Sequence, residues 1–191
     1  MRVVAGSGNG FGIKNRLVMI VKLKVDSKMY ADYIAYLFPP GTDGALKVSS
    51  EHMMGKLLIA HCREAPRPMF ESDDDLVVTL RLPQCESTQN LRNKFLYYNA
   101  GDMLQLNKAL QAAFEFDFVG YYRRGQALQF AKKDIVEGFV TSRKLISTDC
   151  VDALYKRVYR RQQREAAALV KKLIRKAYYL EESIDTSGLP K

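Results

Sequence analysis

Residues 148–182 read TDCVDALYKRVYRRQQREAAALVKKLIRKAYYLEE, and at about 100° per residue this stretch forms one long amphipathic helix. Its apolar positions recur at helical spacing, at Val151, Leu154, Tyr155, Val158, Ala166, Leu169, Leu173, Ala177 and Leu180. Its polar face carries nine basic residues, interrupted by Glu165: Lys156, Arg157, Arg160, Arg161, Arg164, Lys171, Lys172, Arg175 and Lys176. We therefore expect one side of this helix to pack and the other to present positive charge.

The one-sided charge is the strongest functional signal in the sequence. Solvated helix faces usually interleave acids with bases, whereas a surface of one sign repels itself and suits a polyanionic partner. This pattern predicts a non-enzymatic nucleic-acid-binding protein, with DNA favoured over RNA. The predicted phosphate contacts are Lys156, Arg157, Arg160, Arg161, Arg164, Lys171, Lys172 and Arg175. Gln162 and Gln163 are in place to reach base edges, and we expect Tyr155 and Tyr159 to pack.

Two other functional hypotheses stay open. In the first, the chain is a structural or assembly protein whose long helix forms a homo-oligomer or binds an acidic protein. In the second, the acidic run at residues 73–75 holds a divalent cation in an enzyme, although such a run between a proline-rich turn and a strand is typical of a solvated loop. By size and charge the chain resembles the short basic accessory proteins of phages and other mobile elements, without a diagnostic motif.

Composition and charge narrow the class of protein. The chain has 191 residues, 47% of them hydrophobic, and a formal net charge of +9, which predicts a globular and basic protein. The sequence contains no apolar run of about 18 residues and no signal-peptide pattern at its start, so we expect a cytoplasmic protein with no membrane partner. Three widely spaced cysteines, Cys62, Cys85 and Cys150, favour reduced thiols.

The pattern along the chain predicts an α+β fold, with a small and mainly antiparallel sheet followed by a helical half. We divide the chain into a flexible arm (1–15), a β-rich region (16–86), a helical region (87–182) and a tail (183–191). Strands are predicted at 17–25, 46–49, 55–62 and 76–82, and a short helix at 30–38. Further helices are predicted at 88–98, 103–122 and 128–143, with Asp102 capping the second and Thr148 capping the long basic helix.

Motifs of nucleotide and metal chemistry are missing from the sequence. Gly55 and Lys56 are followed by leucine, so the phosphate-binding GK[ST] motif does not occur. His52 and His61 are the histidines of the chain, and a strand at 55–62 would point His61 and Cys62 to opposite faces. We therefore predict no catalytic residues, no metal site and no cofactor. The helix at 128–143, its short connector and the basic helix share the outline of a helix-turn-helix, a signal of low specificity.

Overall fold

The computed structural model describes residues 19–67, 76–92, 94–147 and 150–185, with the side chains of the last helix described as far as Lys176. The described strands are β1 (Ile20–Lys24), β2 (Leu46–Lys47), β3 (Arg63–Ala65), β4 (Val77–Arg81) and β5 (Phe95–Tyr97). The helices are α1 (Lys28–Leu37), α2 (Met53–Ala60), α3 (Ala100–Ala127), α4 (Lys132–Ser142) and α5 (Cys150–Asp185), with a short 3-10 helix at Glu86–Leu91.

The strands confirm the predicted α+β class and form two small sheets. In the three-stranded sheet β4 is central: it pairs with β1 in antiparallel register, Val21 opposite Leu80, and with β2 in parallel register. In the second sheet β3 and β5 pair antiparallel, with Arg63 opposite Tyr97. Two of the three pairings are thus antiparallel, and long helices follow the sheets along the chain as predicted.

The chain divides into two compact units, Met1–Ala113 and Phe114–Lys191, and the division falls inside α3. The core of the first unit is built from alternate residues of β1, from Leu80 of β4 and from the apolar sides of its helices. Its fully buried side chains include Val21, Leu23, Ile34, Phe38, Leu58, Leu80, Leu106 and Leu110. Because β1 alternates buried and exposed side chains, one face of its sheet is covered by the core of this unit.

A buried amide ties the end of β1 to α3. Asn107 is 6% exposed, and its Nδ2 donates to the carbonyl of Lys24 at 2.9 Å and to that of Met103 at 3.0 Å. Its Oδ1 accepts a hydrogen bond from the backbone N–H of Asp26 at 3.2 Å. The side chain therefore satisfies backbone groups at the point where β1 ends, more than 80 residues away in sequence.

The core of the second unit is an aromatic cluster between α3 and α4. The centroid of the Phe139 ring lies 5.0 Å from that of Phe118 and 5.7 Å from that of Phe114, and both ring pairs pack edge-on. A Cβ atom added at Gly125 would come within 2.7 Å of the Ile135 side chain, so glycine lets α3 approach α4 closely here. The residues of α4 that enter this core are Ile135, Val136 and Phe139.

Two of the predicted elements were wrong in type. Of the predicted strand at 55–62, residues 55–60 form most of α2, because Met54, Gly55, Leu58 and Ile59 are buried at helical spacing and a short apolar run does not distinguish the two states. His61 therefore caps a helix instead of lying on a strand. The helix predicted at 88–98 is replaced by the 3-10 helix and β5.

Helices α3 and α4 confirm the predicted helical type with shifted ends. Helix α3 is longer than the predicted 103–122 and continues past Gly125, and α4 begins at Lys132.

The predicted cap of α3 was also wrong. The side chain of Asn99 accepts the backbone N–H of Asp102 at 2.6 Å, so Asn99 takes the capping role. The flexible arm and Thr148 lie outside the described residues.

We expect Asn107→Ala to destabilise the protein by about 1–2 kcal/mol, because it removes the buried amide that bonds to the Lys24 carbonyl and to the Asp26 N–H at the end of β1. Urea unfolding followed by circular dichroism measures the change. Asn90→Ala removes an exposed amide and serves as the control. Equal unfolding midpoints for the two variants would contradict the role assigned to Asn107.

A pair of glycines on α3 gives a second prediction, in which the same substitution has opposite effects. Gly125→Ala should destabilise by about 1–3 kcal/mol, because the new methyl group meets Cγ1, Cδ1 and Cγ2 of Ile135 within 3.0 Å. Gly120→Ala should stabilise by up to about 1 kcal/mol, because its Cβ position is open and alanine favours the helix. Thermal unfolding of the two variants checks the sign of each change.

Candidate nucleic-acid interface

The first turns of α5 are anchored in the second unit. Helix α4 ends at Ser142, and Lys144 follows it in a left-handed conformation (φ 54°), while the backbone N–H of Leu145 donates to the carbonyl of Val140. Leu145 is buried, and the chain then enters α5, where Cys150, Leu154 and Val158 are buried in turn. These residues fix the start of α5 against α4 and confirm that the early apolar positions pack.

Beyond this anchor the expected packing of the apolar positions was wrong. Every described side chain from 163 to 176 is exposed. We call Leu169, Val170, Leu173 and Ile174 the apolar stripe; they are 58%, 55%, 57% and 64% exposed. The segment is rich in alanine, leucine, lysine and arginine, which favour a helix without tertiary contacts. Ala177 and Leu180 continue the pattern in sequence but lie outside the described side chains.

Two of the predicted phosphate contacts have carboxylate partners within the protein. Arg157 forms an ion pair with Glu115 and lies 5.5 Å above the ring of Phe114. Its side chain is only 29% exposed, so much of its charge is neutralised inside the second unit. Arg161 pairs with Glu165 one turn later, at 2.9 Å and on the surface. Arg157 therefore holds α5 to α3, while Arg161 remains accessible.

The other six predicted contacts form a continuous exposed surface, which we call the basic face: Lys156, Arg160, Arg164, Lys171, Lys172 and Arg175. None of the carboxylates in the described residues forms an ion pair with these six side chains. At a rise of about 1.5 Å per residue the face extends roughly 28 Å along the helix. Such a row of uncompensated cations attracts a polyanion.

The structure adds one cation near α5 that the sequence did not indicate. Lys132, at the start of α4, donates from Nζ to Oε1 of Gln162 at 3.1 Å. Its charge therefore lies beside α5, although 30 residues separate the two positions. Gln162, predicted to reach base edges, is engaged in this bond. Tyr159 was expected to pack but is 62% exposed, and Tyr155 is half-buried.

A second charged cluster, in the first unit, was missed by sequence reasoning. The carboxylate of Asp102 accepts a hydrogen bond from Arg63 Nε at 2.5 Å and lies 2.9 Å from Nδ1 of His61. Asp102 is 7% exposed, and the pKa of its carboxyl is lowered to about 2, first by Arg63 and then by His61. Arg63 and His61 precede Asp102 in the sequence by 39 and 41 positions, so no local motif predicts the cluster. Its charges compensate one another and anchor the first turn of α3.

The remaining candidates for chemistry within the described residues do not assemble into a site. Burial raises the pKa of the Cys62 thiol to about 12, which keeps it protonated and unreactive. Hydrogen bonds from Ser87 and Thr88 lower the pKa of Cys85. In the part of the chain that the structure describes, no group of three or more His, Cys, Asp or Glu residues is placed to hold a metal ion. The acidic run at 73–75 lies outside that part.

Comparison with known proteins adds no assignment: no protein-family model, no curated protein and no solved structure matches this chain. Among the described residues, no helix is both long enough and apolar enough to span a membrane.

The Asp102 cluster predicts a pH dependence of stability. A carboxyl whose pKa falls from about 3.9 in the unfolded chain to about 2 in the folded protein stabilises the fold fully only above about pH 5. This contribution is lost progressively as the pH falls from about 5 towards 2. The difference in urea midpoint between wild type and Asp102→Asn should therefore shrink over that range. Glu51→Gln, at an exposed carboxylate, is the control, and a difference that stays constant with pH would contradict the assignment.

Proposed function

We propose that this chain is a non-enzymatic nucleic-acid-binding protein that contacts phosphates through the basic face of α5. The observation that carries the proposal is the row of six exposed basic side chains without carboxylate partners among the described residues. A globular protein gains no stability from such an arrangement, because like charges on one face repel each other. Neutralisation by phosphates removes that repulsion, and the release of counterions from the nucleic acid supplies the affinity.

Arg160, Arg164 and Lys171 are central to the proposed contact. At about 100° per residue they fall within roughly 40° of one another on the helix, so a single strand of phosphates reaches all three. Arginine offers two donors to one phosphate, which fixes the helix against the backbone. Arg157 is excluded from the primary contact by its ion pair with Glu115, and Lys132 adds charge beside the helix.

Duplex DNA is the ligand that this surface favours. Proteins that bind single strands combine cations with several aromatic side chains on which the bases stack. Among the α5 side chains that the structure describes, Tyr159 is the exposed aromatic. Arg160, Arg164 and Lys171, aligned over roughly 17 Å of the helix, suit the regular phosphate array of a duplex. Because contacts to phosphates carry no sequence information, we expect modest sequence preference.

The proposal predicts the behaviour of a triple variant, Arg160→Ala, Arg164→Ala and Lys171→Ala, in fluorescence anisotropy with labelled duplex and single-stranded oligonucleotides over a salt series. Wild type should bind duplex with an affinity that falls steeply with salt. Loss of three phosphate contacts should make the slope of log affinity against log salt shallower by about three. Duplex should bind more tightly than single strand at every salt concentration.

A matched control variant distinguishes the loss of phosphate contacts at the basic face from a general loss of positive charge. Arg123→Ala, Arg124→Ala and Lys108→Ala remove the same charge from exposed positions on α3, and they should leave the salt slope close to that of wild type. Equal losses in both triple variants would mean that overall charge, not the basic face, drives binding. Absence of binding by folded wild type at low salt would overturn the proposal and leave an assembly role as the leading hypothesis.

A further inference from the structure

A cleft lies at the end of the three-stranded sheet where β2 and β4 finish. Its volume is about 410 Å³, and its lining residues are Met19, Lys47, Val48, Arg81, Leu82, Pro83 and Gln84. Two backbone hydrogen bonds join the strands at this point. The N–H of Val48 donates to the carbonyl of Arg81 at 2.9 Å, and the N–H of Leu82 donates to that of Met19 at 2.9 Å. The walls of the cleft therefore belong to the packed sheet of the first unit.

The strand register places two cations of this cleft side by side. Lys47 pairs with Arg81 between the parallel strands β2 and β4, one residue after the buried pair of Leu46 and Leu80. Because side chains alternate along a strand, Lys47 and Arg81 both project from the face opposite the core. Like charges opposite each other on neighbouring strands repel, so an anion between these two side chains relieves a repulsion that the register creates.

Only part of this positive charge is compensated within the described residues. Arg81 forms an ion pair with Asp43, which is not among the residues that line the cleft. The Nε of Arg81 is buried and has no hydrogen-bond acceptor in the described part of the chain. Lys47 is exposed, and no described carboxylate forms an ion pair with it. Two cations and one carboxylate leave the cleft with a net positive charge.

Buried apolar side chains contribute much of the wall beside these cations. Met19, Val48 and Leu82 are 4%, 4% and 3% exposed. Clefts that combine one sign of charge with walls of low dielectric constant focus the electrostatic field, so they attract an anion more strongly than isolated surface lysines do. The volume of the cleft also lies within the range of roughly 300–1,000 Å³ that is usual for small-molecule sites.

We propose that this cleft is a phosphate-binding site of the first unit, with Lys47 and Arg81 as the residues that contact the anion. The guanidinium of Arg81 presents its donors in one plane and the ammonium of Lys47 is a compact charge, a combination that suits the oxygens of a phosphate group. The apolar wall favours a phosphate that carries an organic substituent over inorganic phosphate. Small phosphate monoesters and nucleic acids both supply such a group. The inference does not depend on the basic face of α5, because it rests on residues of the first unit.

The test is an NMR titration of the isotope-labelled full chain with inorganic phosphate and with adenosine monophosphate, followed through the backbone amide signals. The chain carries Arg160→Ala, Arg164→Ala and Lys171→Ala, so that phosphate on the basic face contributes little. The amides beside the cleft, Val48, Leu82 and Gln84, should shift and saturate, and the monophosphate should saturate them at the lower concentration. Sodium chloride at equal ionic strength should not reproduce these shifts.

Three single variants in the same background identify the contacts. Lys47→Gln should weaken the affinity for the monophosphate by about tenfold, as expected for the loss of one charge-assisted hydrogen bond. Arg81→Lys keeps the charge but removes the planar donors, so it should also weaken binding. Lys56→Gln removes an exposed lysine of α2 and should leave the affinity unchanged. The dispersion of the amide signals shows that each variant is folded.

Shifts that chloride produces equally, or an affinity that a folded Lys47→Gln chain retains in full, would overturn the site. A short oligonucleotide distinguishes the two sources of phosphate, because it shifts the same amides only if the cleft accepts a nucleic-acid phosphate. The two proposals also fail separately. Phosphate binding in the cleft of a chain that does not bind DNA contradicts only the nucleic-acid function, and DNA binding without phosphate shifts at the cleft contradicts only this site.

Discussion

The one-sided anchoring of α5 is the constraint on which the functional surfaces of this protein depend. Cys150, Leu154 and Val158 are buried at its start, and the Arg157 to Glu115 ion pair adds a second attachment to α3. Beyond Gln162, which still bonds to Lys132, the described side chains are exposed as far as Lys176. Because only the first turns of α5 pack, most of the basic face and the whole apolar stripe are exposed to solvent.

The aromatic cluster of the second unit makes this anchoring possible. Phe114, Phe118 and Phe139 provide a rigid apolar platform, and Gly125 allows α3 to approach α4 closely enough to form it. Ring pairs packed edge-on add about 0.5–1.5 kcal/mol each beyond the area they bury, which favours the relative placement of the helices that carry them. The left-handed residue Lys144 then turns the chain so that Leu145 enters the same core.

The two surfaces of α5 have different physical demands. The basic face suits a partner that neutralises charge over about 28 Å, which a phosphate backbone does. The stripe suits a partner that excludes water from aliphatic groups, which phosphates do not. The Asp102 cluster, whose charges are already compensated, serves the first unit as an anchor.

The sequence by itself determined the α+β class, the long helix and the one-sided charge of α5, because helical periodicity and charge are local properties of the chain. Periodicity does not distinguish a short buried helix from a strand, so α2 was predicted wrongly. Only the tertiary structure decided which apolar positions are buried. It separated Leu154 and Val158, which pack, from Leu169 and Leu173, which do not, although all four follow one pattern. It likewise paired Arg157 with Glu115 and gathered His61 and Arg63 around Asp102, since these contacts join residues about 40 positions apart that no local pattern connects.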